Sequence, residues 1–305
     1  MSYRMLIDLL IALKTLVYQS LVLVVSLLPT RLAYRMACVL GRIRYRRQKE
    51  ARYHLARAMQ SGLNASPQET EQFVRKYFEL KSWEEVETWH CLSGQPGKIK
   101  KLIEFHGLEN LDQALAAGRG AVLCTGHFRG LFILMLGLAA RGYKLNAIRR
   151  QPLGLQNRIG RWFSAQTTLI RHEVCKFLWM HPGNLKVAIH AAAALRNNEI
   201  LLVLIDGRFA AQSVDVKLLR RTLSISSGPI VIAQTTGAPL LNLSLRMEEQ
   251  GHLRHVATIG PAFHPAPNVA ASVQHCVSML EEAIVSEPAS WTWFEERAVW
   301  DDHQK

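Results

Sequence analysis

Two patterns of apolar and polar positions follow each other along the chain. Ser66 and Glu69 form a capping box with Pro67 in the first turn, and this combination predicts a helix that runs to about Trp89. Residues 93–97 contain two glycines and a proline, so they predict a break after that helix.

Beyond the break, short apolar runs alternate with stretches of helical periodicity. Strands that are spaced by helices predict an α/β fold, with a mostly parallel mixed sheet covered by helices. We find no internal repeat and no low-complexity linker in this part. The predicted strands are residues 121–126, 144–149, 200–205, 239–245 and 255–259, and helices are predicted at 185–196 and 228–235.

The N-terminal segment is apolar enough to meet a membrane. Residues 16–28 are almost free of charge and end at Pro29, but Lys14 separates them from the apolar residues upstream. A spanning helix needs about 20 uninterrupted apolar residues. We therefore expect a membrane-embedded or interfacial anchor over residues 1–30, uncleaved, followed by an α/β domain over 31–305; the alternative is a buried hydrophobic helix.

Positive charge is concentrated directly after this segment. Nine of the basic residues and one acid lie between Arg31 and Arg57, so this stretch supplies +8 of the formal net charge of +13. Its position beside an anchor favours anionic membrane lipids on the cytoplasmic face. Nucleic acid is the other partner that such a cluster suits, but no nucleic-acid-binding motif accompanies it.

Cysteine and histidine usage points away from disulfides and metals. The five cysteines are odd in number and far apart in sequence, which indicates small core residues in a reducing compartment. His252 and His255 would face opposite sides of a strand, so we predict no metal site.

The residues with the clearest chemistry follow two of the predicted strands. His127 comes after residues 121–126 and opens a turn flanked by glycines before an apolar helix, a favourable setting for a general base. Asp206 follows residues 200–205 in the same way. Because ligands bind at the carboxyl ends of parallel strands, we expect both side chains at one edge of the sheet.

Three segments stand in a specific order along the chain: Leu27-Leu28-Pro29, His127-Phe128-Arg129-Gly130-Leu131-Phe132 and Trp291-Thr292-Trp293. With these motifs in order, the chain resembles the bacterial lipid A late acyltransferases, the lauroyl and myristoyl transferases of the lysophospholipid acyltransferase superfamily. The resemblance covers nearly the whole chain. The family motif His-Phe-Gly-Asn-Trp-Glu corresponds here to His127-Phe128-Arg129-Gly130-Leu131-Phe132. Further correspondences are Leu27-Leu28-Pro29, Arg149-Arg150-Gln151-Pro152 with Asn157 and Arg161, Asp206-Gly207, Ser226-Ser227-Gly228-Pro229, and Trp291-Thr292-Trp293 with Arg297.

The resemblance implies an enzyme of the bacterial inner membrane, on its cytoplasmic face. It would move a fatty acyl group from acyl carrier protein, or coenzyme A, to a lipid acceptor, with His127 as general base and no cofactor. Arginines suit phosphate or a developing oxyanion, and a helix N-terminus suits an anion, although Ser227 also fits simple capping. The candidate substrate-binding residues are Arg129, Arg149, Arg150, Asn157, Arg161, Arg208, Ser227 and Gly228.

Phe132 departs from the family pattern, because the motif ends in an acid that would orient the histidine. Three interpretations follow. The enzyme is active and takes its acid from elsewhere, with Asp206 as the best candidate and Glu173, Glu199 and Asp215 behind it. Alternatively, it is a catalytically degenerate homologue that binds acyl chains or lipids or supports a partner enzyme. The third is that the fold is kept and the reaction differs.

Overall fold

A computed structural model describes residues 20, 24, 27–92, 102–150, 175–180, 186–207, 212–249 and 253–300. The helices in these ranges are α1 (Thr30–Arg47), α2 (Lys49–Leu63), α3 (Pro67–Leu92), α4 (Leu108–Ala116), α5 (Leu131–Ala139), α6 (Lys186–Arg196), α7 (Gly228–Thr236), α8 (Val269–Ser286) and α9 (Arg297–Trp300). The strands are β1 (Ile103–His106), β2 (Ala121–Thr125), β3 (Leu145–Arg150), β4 (Cys175–Met180), β5 (Ile200–Leu204), β6 (Ser213–Leu218), β7 (Arg221–Ser226), β8 (Leu240–Glu249) and β9 (Leu253–Ile259). Two 3₁₀ turns, Pro288–Ser290 and Thr292–Glu295, connect α8 to α9.

The main sheet has seven strands in the order β1-β9-β8-β2-β5-β3-β4. Strands β8, β2, β5, β3 and β4 are parallel to one another, while β9 pairs antiparallel with β8 and parallel with β1. The predicted mixed and mostly parallel sheet is therefore confirmed. The β2-α5-β3 and β4-α6-β5 crossovers run in opposite directions along the sheet, so right-handed connections put α5 and α6 on opposite faces.

The predicted start of α3 is confirmed. The backbone N–H of Ser66 donates to Glu69 Oε2 at 2.9 Å, and the N–H of Glu69 donates back to Ser66 Oγ at 3.3 Å. This reciprocal pair satisfies two amides that have no partner within the helix. It fixes the first turn of the longest helix among the described residues, and that helix later contacts the site.

Small residues decide how α1 packs on α3. Ala33, Ala37 and Gly41 recur every four residues and are buried. A Cβ atom on Gly41 would lie 2.7 Å from the Cα atom of Glu79, so the two helix backbones approach closely at this point. The opposite face of α1 stays exposed and carries the long apolar side chains Leu32, Met36, Val39 and Ile43.

The predicted N-terminal anchor lies mostly outside the described residues. No helix within the described ranges is both long and apolar enough to cross a membrane. The boundary at residue 30 stays a prediction. The cysteines of the described core behave as expected: Cys124, Cys175 and Cys276 are buried, and none of the three forms a disulfide within the described residues.

Candidate active site

The parallel pairing of β2 with β5 brings His127 and Asp206 together. Thr125 pairs with Leu204 at the carboxyl end of both strands, and each chain leaves the sheet from there. His127 and Asp206 follow two residues later at the same level. Their side chains meet, with 2.6 Å between His127 Nδ1 and Asp206 Oδ1.

Asp206 is buried and accepts three hydrogen bonds. Besides the imidazole, its Oδ2 atom accepts the backbone N–H of His127 at 2.7 Å and the indole N–H of Trp291 at 2.8 Å. Gly126 makes room for this arrangement, because a Cβ atom there would lie 3.0 Å from Oδ2 and 2.6 Å from a methyl carbon of Leu280. Three donors around one carboxylate are the environment that an ionised acid requires inside a protein.

The pair fixes the tautomer of His127. An ionised carboxylate only accepts hydrogen bonds, so Nδ1 carries the proton and Nε2 keeps its lone pair. The His127 side chain is 36% exposed, whereas that of Asp206 is 1% exposed. Within the described part of the chain, Nε2 has no hydrogen-bond partner. The arrangement therefore presents an oriented base to a molecule that arrives from solvent.

The charges around His127 raise the pKa of its imidazole above the ordinary value of 6.5. Burial lowers this pKa, but the charge of Asp206, its hydrogen bond and the charge of Glu296 together outweigh burial. A raised pKa also links folding to pH. The stabilisation from protonated His127 is complete below about pH 6.5 and is lost as the pH rises through the folded-state pKa.

The segment that precedes α9 forms one wall of the site. Thr292 donates both its backbone N–H, at 2.9 Å, and its hydroxyl, at 2.8 Å, to the carbonyl oxygen of His127. The ring of Trp293 lies 5.4 Å from the imidazole, measured between centroids. Phe128 and Trp291 form an isolated antiparallel bridge beside these contacts. The turn that carries His127 is thus held on this side by the backbone as well as by side chains.

Phe132 occupies the motif position of the expected acid and belongs to the hydrophobic core. It is 7% exposed and lies in α5, whose residues from Phe132 to Leu138 are all buried. The contact that would be expected from an acid at this position is made by Asp206 instead. Of the acids considered as substitutes, Glu173 lies outside the described residues. Among the others, Asp206 is the one in contact with His127, while Glu199 accepts a hydrogen bond from Asn146 at the other end of β5.

The backbone amides next to His127 are already used. The N–H groups of Phe128, Arg129 and Gly130 donate to Gly126 O, Ser290 O and Glu84 Oε1, at 2.8, 2.9 and 3.3 Å. A substrate oxyanion that forms next to His127 therefore needs hydrogen-bond donors from another part of the chain.

Arg149 lies at the same edge of the sheet. Ala147 pairs with Leu202, so continuation of the register puts Arg149 level with the end of β5 and on the face of the sheet that carries Thr125. Its guanidinium carbon is 5.5 Å from the centroid of the Phe177 ring, and burial lowers its pKa. Among the predicted substrate-binding arginines, Arg149 is the one with a described side chain at this edge.

The other predicted substrate contacts fall into two groups. Asn157, Arg161 and Arg208 lie outside the described residues, and Arg150 is placed only by its backbone, at the last position of β3. Ser227 and Gly228 begin α7 as predicted. Ser227 is buried, and its hydroxyl donates to Gln212 O at 3.4 Å, which satisfies the loop rather than an external anion.

Arg129 is directed inward, contrary to the expected contact with substrate. It is 3% exposed, its Nη1 donates to Glu84 Oε2 at 2.8 Å, and its guanidinium carbon lies 4.3 Å from the centroid of the Tyr77 ring. A buried guanidinium that is held in this way joins the turn to α3. We therefore do not carry Arg129 forward as a substrate ligand.

Sequence reasoning missed three contributors to the site. The sequence gives Trp291 and Trp293 a family correspondence but no contact with the site, and it does not single out Glu84. The Trp-x-Trp correspondence with the family was the signal for the two tryptophans. No sequence signal linked Glu84 to Arg129, because the two residues are 45 positions apart. Within the described residues no cluster of His, Cys, Asp and Glu is arranged to hold a metal ion.

The α/β sheet carries an oriented histidine at the carboxyl ends of its strands, an arrangement that is capable of acid–base chemistry. The chain belongs to the bacterial lipid A biosynthesis acyltransferase family, whose model matches residues 3–298. A search of curated protein sequences finds no match. The match to this family model confirms the resemblance that the motifs indicate.

Removal of the indole donor tests how much Asp206 depends on Trp291. Trp291→Phe keeps an aromatic ring next to Phe294 but deletes the N–H that Asp206 accepts. Because hydrogen bonds to charged groups contribute about 1.5–3 kcal/mol, we expect the free energy of unfolding to fall by at least about 1.5 kcal/mol in urea titrations.

The matched control for this substitution is Trp300→Phe. The indole of Trp300 donates to a neutral acceptor, the carbonyl oxygen of Trp293, at 2.9 Å. The smaller value of neutral hydrogen bonds predicts a smaller loss of stability. Equal losses in the two variants would show that the hydrogen bond from Trp291 to the Asp206 carboxylate stabilises the fold no more than a hydrogen bond to a neutral acceptor does.

Proposed function

We propose that the protein transfers a fatty acyl group from a thioester to a hydroxyl or amine of a lipid or glycolipid acceptor, with His127 as the general base. The observation that carries this proposal is the 2.6 Å contact between His127 Nδ1 and Asp206 Oδ1, which supplies the orienting acid that Phe132 does not. The family to which the chain belongs supports acyl transfer as the reaction class.

The proposed reaction needs no covalent enzyme intermediate. The acceptor oxygen or nitrogen attacks the thioester carbonyl carbon while its proton passes to His127 Nε2. Asp206 stabilises the imidazolium that forms. The tetrahedral intermediate then collapses, the carbon–sulfur bond breaks, and the departing thiolate takes the proton from Nε2. Among the arginines whose side chains the structure describes, Arg149 is the candidate for binding the oxyanion or an acceptor phosphate.

The proposed donor is an acyl group on acyl carrier protein or on coenzyme A, and no cofactor takes part. A strongly basic protein suits an acidic carrier protein, because complementary charge speeds and orients association. The same charge also suits the phosphates of coenzyme A. We therefore keep both donors in the assay below.

Mass spectrometry of lipids tests the function directly. Purified protein is incubated with acyl-carrier or acyl-CoA thioester and with membrane lipids. We expect thioester loss that is matched by a lipid that has gained one acyl chain. No product and no thioester loss with either donor would contradict the proposal and favour the degenerate homologue that binds acyl chains without turning them over.

The proposed location is the cytoplasmic face of the inner membrane, with the exposed face of α1 against anionic lipid. Leu32, Met36, Val39 and Ile43 lie at helical spacing on one side of α1 and are 43–53% exposed. Exposed arginines flank this apolar stripe at positions 31, 35, 42 and 46. An exposed apolar stripe with guanidinium groups along its margin is typical of helices that lie in the headgroup region.

Two negative charges placed in the stripe should weaken membrane binding strongly. In vesicle flotation, we expect Met36→Glu/Val39→Glu to lose most of its binding to vesicles that contain phosphatidylglycerol. The control is Ile189→Glu, because Ile189 is 64% exposed on α6 and lies outside the stripe. Equal binding by the two variants would exclude this face of α1, and binding to DNA in place of anionic vesicles would favour the nucleic-acid alternative.

A further inference from the structure

One face of α3 contacts both the segment before α9 and the turn that carries His127. Lys81, Glu84 and Glu87 lie three residues apart and project from the same side of the helix. Lys81 Nζ is 2.5 Å from Glu295 Oε1, in the 3₁₀ turn that also contains Trp293. Glu84 contacts the turn that carries His127.

Glu84 binds two successive residues of this turn. Its Oε2 accepts Arg129 Nη1 at 2.8 Å, and its Oε1 accepts the backbone N–H of Gly130 at 3.3 Å. Arg129 also donates its backbone N–H to Ser290, the residue before Trp291. The stretch from His127 to Gly130 is thus held between α3 and the segment whose indole contacts Asp206.

A second buried pair supports the same point of the turn. Glu87 and His255 are 2% and 0% exposed, and Glu87 Oε2 lies 2.7 Å from His255 Nε2. His255 packs against Gly130, where a Cβ atom would lie 2.3 Å from His255 Nδ1. Gly130 has a φ of +86°, which other residues rarely adopt. The backbone at Gly130 is therefore fixed from two sides.

We propose that Glu84, acting through Arg129 and Gly130, is a positioning residue that sets the geometry of His127 against Asp206. This inference rests on the proposed acyl transfer. In this chain Arg129 and Gly130 take the place of the Gly-Asn of the family motif, and Phe132 takes the place of the acid. The buried Glu84–Arg129 pair supplies a tether for the turn from α3, while Asp206 supplies the acid.

The test compares Glu84→Gln with Glu84→Gln/Arg129→Met. Glu84→Gln leaves a buried guanidinium without its counter-charge and lowers stability. The double variant removes both charges, so it should fold well enough for assay, as checked by circular dichroism and thermal melting. Because a misplacement of about 1 Å at a reacting group costs up to about 100-fold in rate, we expect a folded double variant whose kcat falls 10- to 100-fold while KM stays near wild type.

The pH profile separates positioning from packing. Among the described residues, the charged groups that face His127 are Asp206 and Glu296, and both raise its pKa. A displaced turn weakens the contact with Asp206, so the acid limb of kcat should move to lower pH in the folded double variant. The control is Glu71→Gln, on the same helix, where Glu71 binds Arg75 and Tyr45 far from the turn. We expect its kcat and pH profile to match wild type.

The possible results are distinguishable. A folded double variant with the kcat and pH profile of wild type would overturn the inference and leave the proposed function intact. A wild-type protein without turnover would instead contradict the proposed function. In that case the ¹⁵N shifts of His127 still report its pKa, and an unchanged His127 pKa in the double variant would overturn the positioning role independently of activity.

Discussion

Replacement of His127 by alanine is expected to lower kcat by about 10²- to 10⁴-fold, because a positioned general base contributes about that much. Within the described site, the imidazole of His127 is oriented by a buried acid and is also open to solvent. Without it, the acceptor must lose its proton to water. Binding of the thioester should change little, since His127 acts on the acceptor, so the KM for the donor should stay near the wild-type value.

Initial rates with purified protein, thioester donor and lipid acceptor measure this effect. The control is His106→Ala. His106 is half exposed and pairs with Glu104 at the end of β1. Two strands, β9 and β8, separate β1 from β2, the strand that leads to His127, so His106 lies apart from the site. We expect wild-type rates from it. If His127→Ala retained the wild-type kcat, the assigned mechanism would be wrong even though acyl transfer itself took place.

Replacement of Asp206 by asparagine should lower kcat by about 10⁴-fold, the cost typical of losing the carboxylate that orients a catalytic histidine. Asparagine has nearly the same shape, but its amide can donate a hydrogen bond to Nδ1 and thereby leave the proton on Nε2. The base would then be in the wrong tautomer. The variant would also lose the negative charge that stabilises the imidazolium.

The pH dependence of kcat provides a second test of Asp206→Asn, and the direction of the expected change follows from the pKa of His127. In the wild type the base must be neutral, so kcat should rise with pH through a pKa above 6.5. Without the charge of Asp206, burial lowers the pKa of His127, and the acid limb should move to lower pH. The control is Asp112→Asn, which changes an exposed acid bonded to Tyr143. An acid limb that stays in place in Asp206→Asn would show that another group governs it.

The sequence pattern predicted the strands and helices around the site well. Residues 121–126 and 200–205 correspond to β2 and β5, and both runs are short, apolar and bounded by turn residues. Their burial explains why the pattern was strong, since all five side chains of β2 are buried. Helix α7 was also predicted, because Gly228 and Pro229 begin it and Gly237 ends it.

Other elements were not predicted. Strands β1 and β4 lie at the two edges of the sheet, and the hairpin of β6 and β7 forms a separate small sheet. Strand β1 and the hairpin bury one side or little of their surface, so their apolar pattern is weak. Strand β4 was missed although five of its six residues are apolar. Helix α8 was missed although Asn268 caps it, with Oδ1 accepting the N–H of Ala271 at 3.1 Å.

The sequence by itself determined the class of fold, the family and the place of His127 at the end of a buried strand, because these depend on local periodicity and on motif spacing. It also showed that Phe132 cannot act as the motif acid. Only the tertiary structure decided which carboxylate reaches the imidazole and where Arg129 goes. Asp206 is 79 positions from His127, and Glu84 is 45 positions from Arg129. Such contacts arise from the register of paired strands and from helix packing, which bring together side chains that no local pattern connects.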